Sequence, residues 1–156
     1  MPEYRLSAIT LDDASVVRRT RAIEQEREVA IYDLLEANQF ELVGSAGGPY
    51  HLRLGVEENR LVFDLALEDG TSHGKIQLSL TPFRGLIKDY FLVCDSYYKA
   101  IRTAPPSQIE ALDMGRRALH DEGATLLRAR LAGRIECDSD TARRLFTLIC
   151  VLHLKG

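Results

Sequence analysis

Cysteine is scarce in this sequence. Three occur, Cys94, Cys137 and Cys150, an odd number with no Cys-x-x-Cys pair among them. A disulfide framework is therefore not expected, and reduced thiols in a cytoplasm are. Excess positive charge is also lacking: 20 Lys and Arg stand against 23 Asp and Glu, a net charge of −3. That balance gives no general attraction to nucleic acid or anionic lipid, so nucleic-acid binding would require a local patch and is not expected. Long apolar runs are missing. The longest nearly apolar stretch, Leu145 to Leu154, falls far short of the roughly 20 residues that span a bilayer. The N-terminal MPEYRLSAITLDD has no basic-then-apolar leader. No membrane contact is expected, and the chain reads as cytoplasmic.

What is present suits a folded core. Hydrophobic residues are 46% and charged residues 28% of 156, which predicts one globular domain over 1–156. The middle of the chain alternates. Leu52, Leu54 and Val56, then Leu61, Phe63, Leu65 and Leu67, then Ile76, Leu78 and Leu80 each share one face of a strand. Turns at Glu58-Asn59 and around Gly70 to Gly74 separate them, and short strands are expected at 4–10 and 40–43. Together they predict an antiparallel meander of about four strands.

Helical spacing governs the rest. A helix is expected over 21–38, with Thr20 as N-cap after a polar turn at 12–15. Ile23, Ala30, Ile31, Leu34 and Leu35 form its apolar face. Thr81-Pro82 reads as a capping hydroxyl before a first-turn proline. It opens a helix that places Phe83, Leu86, Ile87, Tyr90, Phe91, Cys94, Tyr97, Tyr98 and Ile101 at helical spacing, stopped by Pro105-Pro106. Ser107-x-x-Glu110 reads as a capping box for a third helix. That helix is expected to weaken near Gly123 and end at Gly133. A last helix from about 138 is apolar on nearly every side over 145–154, which places it centrally or at a subunit interface. The fold class is α+β, a sheet covered by about four helices.

Few residues carry a chemical signal. The loop Gly44-Ser45-Ala46-Gly47-Gly48-Pro49 lacks phosphate-loop spacing and is followed by strand signals, so it reads as a hairpin connection. His51, His73, His120 and His153 show no metal-ligand spacing, and neither metal nor cofactor is expected. Cys94 and Cys150 fall on apolar helix faces, whereas Cys137 falls in a turn where exposure is expected. Arg18-Arg19-x-Arg21 and Arg143-Arg144 lie beside acidic residues and read as solvated. One helix face is more suggestive. Asp113, Arg116, Arg117 and His120 occur at i, i+3, i+4 and i+7, opposite Leu112, Gly115, Leu119 and Leu126, which are expected to face the core. Two guanidiniums beside an imidazole suit a phosphate or carboxylate. The competing reading is a solvated face with intrahelical ion pairs.

The strings EREVAIYDLLEAN (26–38), GGPY (47–50), LVFD (61–64), LSLTPFRGLIKDYF (78–91), SYYKAIR (96–102), SQIEALDMGRRALH (107–120) and DTARRLFTLICVLH (140–153) resemble the bacterial uncharacterised protein family 0262. The likeness runs over nearly the whole chain. It implies a small bacterial cytoplasmic protein and brings no catalytic residue or cofactor with it.

Two functions from different classes remain open. The leading expectation is a non-catalytic binding or protein-interaction module, self-associating as a homodimer through the apolar last helix. The rival is a small enzyme or sensor of an anionic metabolite built on Asp113, Arg116, Arg117 and His120. A concave pocket at that stripe favours the rival, and a convex helix face favours the module.

Overall fold

The computed structural model describes residues 3–12 and 21–152. In chain order the elements are β1 (Leu6–Asp12), α1 (Arg21–Glu36), β2 (Phe40–Leu42), β3 (Tyr50–Glu57), β4 (Arg60–Leu67), β5 (Ser72–Ser79), α2 (Arg84–Thr103), α3 (Pro106–Leu131), β6 (Ile135–Cys137) and α4 (Ser139–Leu152). The architecture is α+β.

The alternating middle forms the sheet it predicts. β3, β4 and β5 pair antiparallel, and Leu52, Leu65 and Phe63 lie on its inner face. Glu58 and Asn59 turn the β3–β4 hairpin with φ of 48° and 63°. Both central residues are left-handed, as in the turn whose twist matches that of the strands. The first strand departs from the expected meander. β1 runs parallel to β3, giving a sheet order of β1-β3-β4-β5. A parallel neighbour needs a long crossover, and α1 with β2 supplies it.

β2 leaves that sheet and pairs antiparallel with β6 as a separate two-stranded ribbon. The glycine-rich loop therefore joins strands of two sheets and is not the expected hairpin connection. Three-residue β6 carries too little pattern to be read from sequence. It also changes the expectation for Cys137, which pairs with Phe40 and is buried instead of lying in an exposed turn.

Two helix starts differ from their local signals. One 3-10 turn, Thr81–Phe83, precedes α2, and no side chain caps it. The Thr81 hydroxyl instead accepts from Asn59 Nδ2 at 3.0 Å. α3 begins at Pro106 behind Pro105, with no side-chain cap, so the Ser107 capping box does not form. Proline at the first position already lacks the N–H that a cap would satisfy. α4 starts as its sequence suggests, the Thr141 N–H donating to Asp138 Oδ1 at 2.9 Å. Thr20 and the turn residues 13–15 lie outside the described residues.

α3 continues through Gly123, which is buried where α3 crosses α4. α4 packs against α3, α1 and β1. Every residue from Leu145 to Leu152 is buried, Thr147 included. The last helix is thus central, and one chain covers its apolar sides over the described residues.

All three cysteines are buried and free. Burial pushes the Cys94 and Cys137 thiols up to about 11 and Cys150 well above its ordinary value. Thiolate is the reacting species. A thiol reagent is therefore expected to label all three slowly in the folded protein and rapidly in urea, read by mass spectrometry over time. Fast labelling of Cys137 in the native state contradicts the β2–β6 pairing.

Candidate functional site

The helical stripe on α3 divides in two. Arg116 and His120 turn inward and Arg117 turns out, their side chains being 24% exposed for Arg116 and 74% for Arg117. Asp113 accepts from Arg116 Nη2 at 2.7 Å and faces Arg117 Nη2 at 3.0 Å. These are the intrahelical pairs expected from the spacing. The fully buried positions of α3 are Gly123, Ala124, Leu127 and Leu131, which continue the His120 row. The side expected to face the core, Leu112, Gly115, Leu119 and Leu126, is only half-buried. The reason is the position of α3, which packs against α2 on one flank and α4 on another.

Arg116 is fixed by more than its own helix. Its guanidinium lies 5.0 Å from the centre of the Tyr97 ring, a cation–π distance. Glu26 Oε1 on α1 is 3.8 Å away. The same carboxylate oxygen accepts from the Tyr98 hydroxyl at 2.6 Å, and Tyr90 approaches Oε2 at 3.4 Å. Burial, and then the hydrogen bond to Glu26, raise the Tyr98 hydroxyl far above its ordinary value. Glu26 thus ties α1, α2 and α3 together through one buried polar cluster.

His120 stacks 4.8 Å from Tyr90, centre to centre, and its Nε2 lies 3.0 Å from Thr147 Oγ1. The Thr147 hydroxyl also lies 3.3 Å from the Arg143 carbonyl one helical turn back. A nucleophile of this kind needs a base that is itself oriented by a third group. Among the described residues no carboxylate holds the second nitrogen of His120, so the pair lacks that group. Burial lowers the His120 pKa.

That shift has a sign. A histidine whose folded pKa lies below its unfolded value near 6.5 binds more protons unfolded, so stability falls as pH drops below about 6.5. Denaturant titrations between pH 7.5 and 5 are expected to show this loss, and His120→Gln is expected to flatten it. An unchanged slope in that variant assigns the loss elsewhere.

Both parts of the stripe border a concave cleft of about 480 Å³, Arg116 and His120 at its base and Arg117 at its exposed edge. α1 contributes Glu26, Val29, Ala30 and Asp33. α3 contributes Arg116, Arg117, His120 and Asp121, and α4 contributes Asp140, Arg143, Arg144 and Thr147. Arg143 Nη1 bonds to Asp121 at 3.0 Å, and its Nη2 bonds to Asp140. Arg144 has one loose partner, Asp33, at 4.0 Å. The cleft therefore holds four guanidiniums and four carboxylates interleaved across three helices.

Of the residues singled out in sequence, Arg116, Arg117 and His120 line this cleft, and Asp113 sits behind the two arginines as their partner. Arg143 and Arg144, whose sequence context suggests solvated side chains, are part of the wall. Their local pairing with Asp140 was legible. Their convergence with α3 was not, because it depends on the α3–α4 crossing. Glu26 carried no signal distinguishing it from Glu24 and Glu28.

A family profile described as Uncharacterised protein family (UPF0262) matches residues 3–155. A UPF0262 protein of Azorhizobium caulinodans is 60% identical over 158 residues, covering 99% of this chain and 97% of that protein. One of Xanthobacter autotrophicus is 58% identical over 156 residues, covering 99% and 95%. One of Caulobacter vibrioides is 58% identical over 154 residues, covering 98% and 95%. No solved structure matches the chain. No helix among the described residues is long and apolar enough to cross a membrane.

Proposed function

The chain belongs to the uncharacterised protein family UPF0262, and we propose that it is a non-catalytic binding protein for a small anionic metabolite. The ligand sits in the cleft between α1, α3 and α4. The observation that carries this reading is the convergence of Arg116, Arg117, Arg143 and Arg144, from two helices, on one concave surface. Guanidinium forks match phosphate and carboxylate oxygens two at a time.

The resident ion pairs do not close the cleft to a ligand. Arg117, Asp121 and Asp140 have side chains 74%, 62% and 59% exposed, and Arg143 is 43% exposed. Such pairs contribute about 0–1 kcal/mol each, so breaking them is no bar to an incoming ligand. Arg116 is different. Asp113, Glu26 and Tyr97 hold it, and it forms part of the cleft wall. Arg117, Arg143 and Arg144 are the ligand arms.

The interaction-module reading drew its main support from the apolar last helix. Over its described residues α4 has no uncovered apolar side to offer a second subunit. The three free thiols support a reducing compartment, and we place the protein in the bacterial cytoplasm.

Thermal melts across a panel of phosphate, phosphorylated metabolites and dicarboxylates test the proposal. Binding to the native state alone stabilises by about 2.7 kcal/mol at a hundredfold excess over Kd. For a chain of this size that is a rise of roughly 5–11 °C. The rise is expected to saturate, and to shrink in Arg117→Ala, Arg143→Ala and Arg144→Ala while Arg60→Ala on the sheet keeps it. A full response in all three cleft variants, or no response to any anion, overturns the reading.

A further inference from the structure

The interleaving of charge in the cleft narrows the class of ligand. Resting on the cleft as an anion site, we infer that the ligand is a compact molecule bearing hydrogen-bond donors beside its anionic group. It has no aromatic base.

Two of the three ligand arms already face carboxylates of the cleft wall: Arg143 bonds to Asp121 and Asp140, and Arg144 lies against Asp33. An anion that takes over these guanidiniums leaves those carboxylates in the same wall, without their partners and close to a like charge. Repulsion between neighbouring anions then opposes the gain from the arginines. A ligand whose hydroxyl or ammonium groups flank its phosphate or carboxylate avoids that loss. Its acceptors take the arginines, and its donors take Asp33, Asp121 and Asp140. The wall as a whole is matched only by a molecule carrying both kinds of group.

Two further features limit the rest of the ligand. Among the described residues no Phe or Tyr lines the cleft, and its apolar side chains there are Val29 and Ala30. The aromatic rings behind it are already in use. Tyr97 is covered by Arg116, and Tyr90 by His120. A flat base would find no free phenyl or phenol ring among the described lining residues, and such rings supply much of the stacking that holds bases in sequence-tolerant sites. The volume, about 480 Å³, falls within the range of small-molecule sites and suits a phosphorylated sugar or amino acid.

Isothermal titration of the full chain with four probes tests the inference: inorganic phosphate, glucose 6-phosphate, O-phosphoserine and adenosine monophosphate. Glucose 6-phosphate offers hydroxyl donors and phosphoserine an ammonium donor, so their difference identifies which donor the carboxylates take. At least one of the two is expected to bind about tenfold or more tighter than inorganic phosphate, because a site built around hydrogen bonds discriminates against a ligand that lacks them. Adenosine monophosphate is expected to bind more weakly than the better of the two.

Asp121→Asn and Asp140→Asn are expected to reduce the advantage of the donor-bearing probe and to tighten inorganic phosphate. Both positions are exposed, and a melt on each variant confirms its fold. Inorganic phosphate binding as tightly as both donor-bearing probes overturns the inference and leaves the cleft an anion site. So does adenosine monophosphate binding tightest. Absence of binding by all four overturns the anion site itself, and the inference with it.

Discussion

Phe146→Ala is expected to remove about 3–5 kcal/mol of folding stability, the range for deleting a fully buried aromatic side chain. Phe146 is 0% exposed in the middle of α4. Its ring lies against Tyr90 and His120, with centres 6.1 and 6.4 Å away. It also covers Gly123 of α3. Truncation therefore opens a cavity where α2, α3 and α4 meet, and those helices leave little room to collapse into it. Against a typical total of about 5–15 kcal/mol, urea denaturation followed by circular dichroism is expected to show a large drop in midpoint. A loss below about 1 kcal/mol contradicts the central placing of α4.

The second large effect lies on the other side of the same contact. A Cβ built on Gly123 meets three atoms of the Phe146 ring at 2.5, 2.5 and 2.6 Å. These atoms include Cγ, which roots the ring, so turning the ring about its own axis does not relieve the overlap. Gly123→Val is expected to lose about 3 kcal/mol, the upper part of the usual range for overpacking. The gain in helix propensity over glycine, under about 1 kcal/mol, does not offset it. The two substitutions are coupled. In the double variant the valine occupies space that the phenylalanine vacates, so the combined loss is expected to fall short of additive by about 1 kcal/mol or more. Additive losses contradict direct contact between the two positions.

Gly123 also shows why part of this fold resisted reading. A glycine inside a helical pattern is ambiguous between a break and a close approach. The choice depends on a partner 23 positions along the chain, which no local pattern identifies. The β3–β5 meander was legible because alternation is local, and Glu58-Asn59 falls at the polar break between two alternating runs. The parallel pairing of β1 was not legible. Strand order depends on where α1 carries the chain, and the Leu6 to Leu11 pattern reads the same beside either neighbour. Thr81 and Ser107 look like caps one residue at a time, yet each is displaced from that role by its context: Thr81 by Asn59, Ser107 by the proline pair before it.

The candidate site divides along the same line. Asp113, Arg116, Arg117 and His120 share a helix face, and the 3.6-residue period brings them together from sequence alone. Which of them face the cleft is a tertiary property. Arg116 and His120 look equally solvent-bound in sequence, and both are drawn inward by Tyr97, Tyr90 and Thr147. Arg143 and Arg144 join the site only because α4 is held centrally, and it is held there by the apolar run that sequence did mark. A core feature thus placed the arginines that composition and spacing left undistinguished from ordinary surface charge.

The central claim is that Arg117, Arg143 and Arg144 act as one anion-binding surface. Side-chain Nε–H resonances of ¹⁵N-labelled protein, followed through a titration with inorganic phosphate, test it most directly. The account predicts that these three resonances shift along one saturable curve with a common Kd, while those of Arg60 and Arg84 on the far elements stay in place. A uniform drift of all arginines with ionic strength, or saturable shifts confined to arginines outside the cleft, contradicts it.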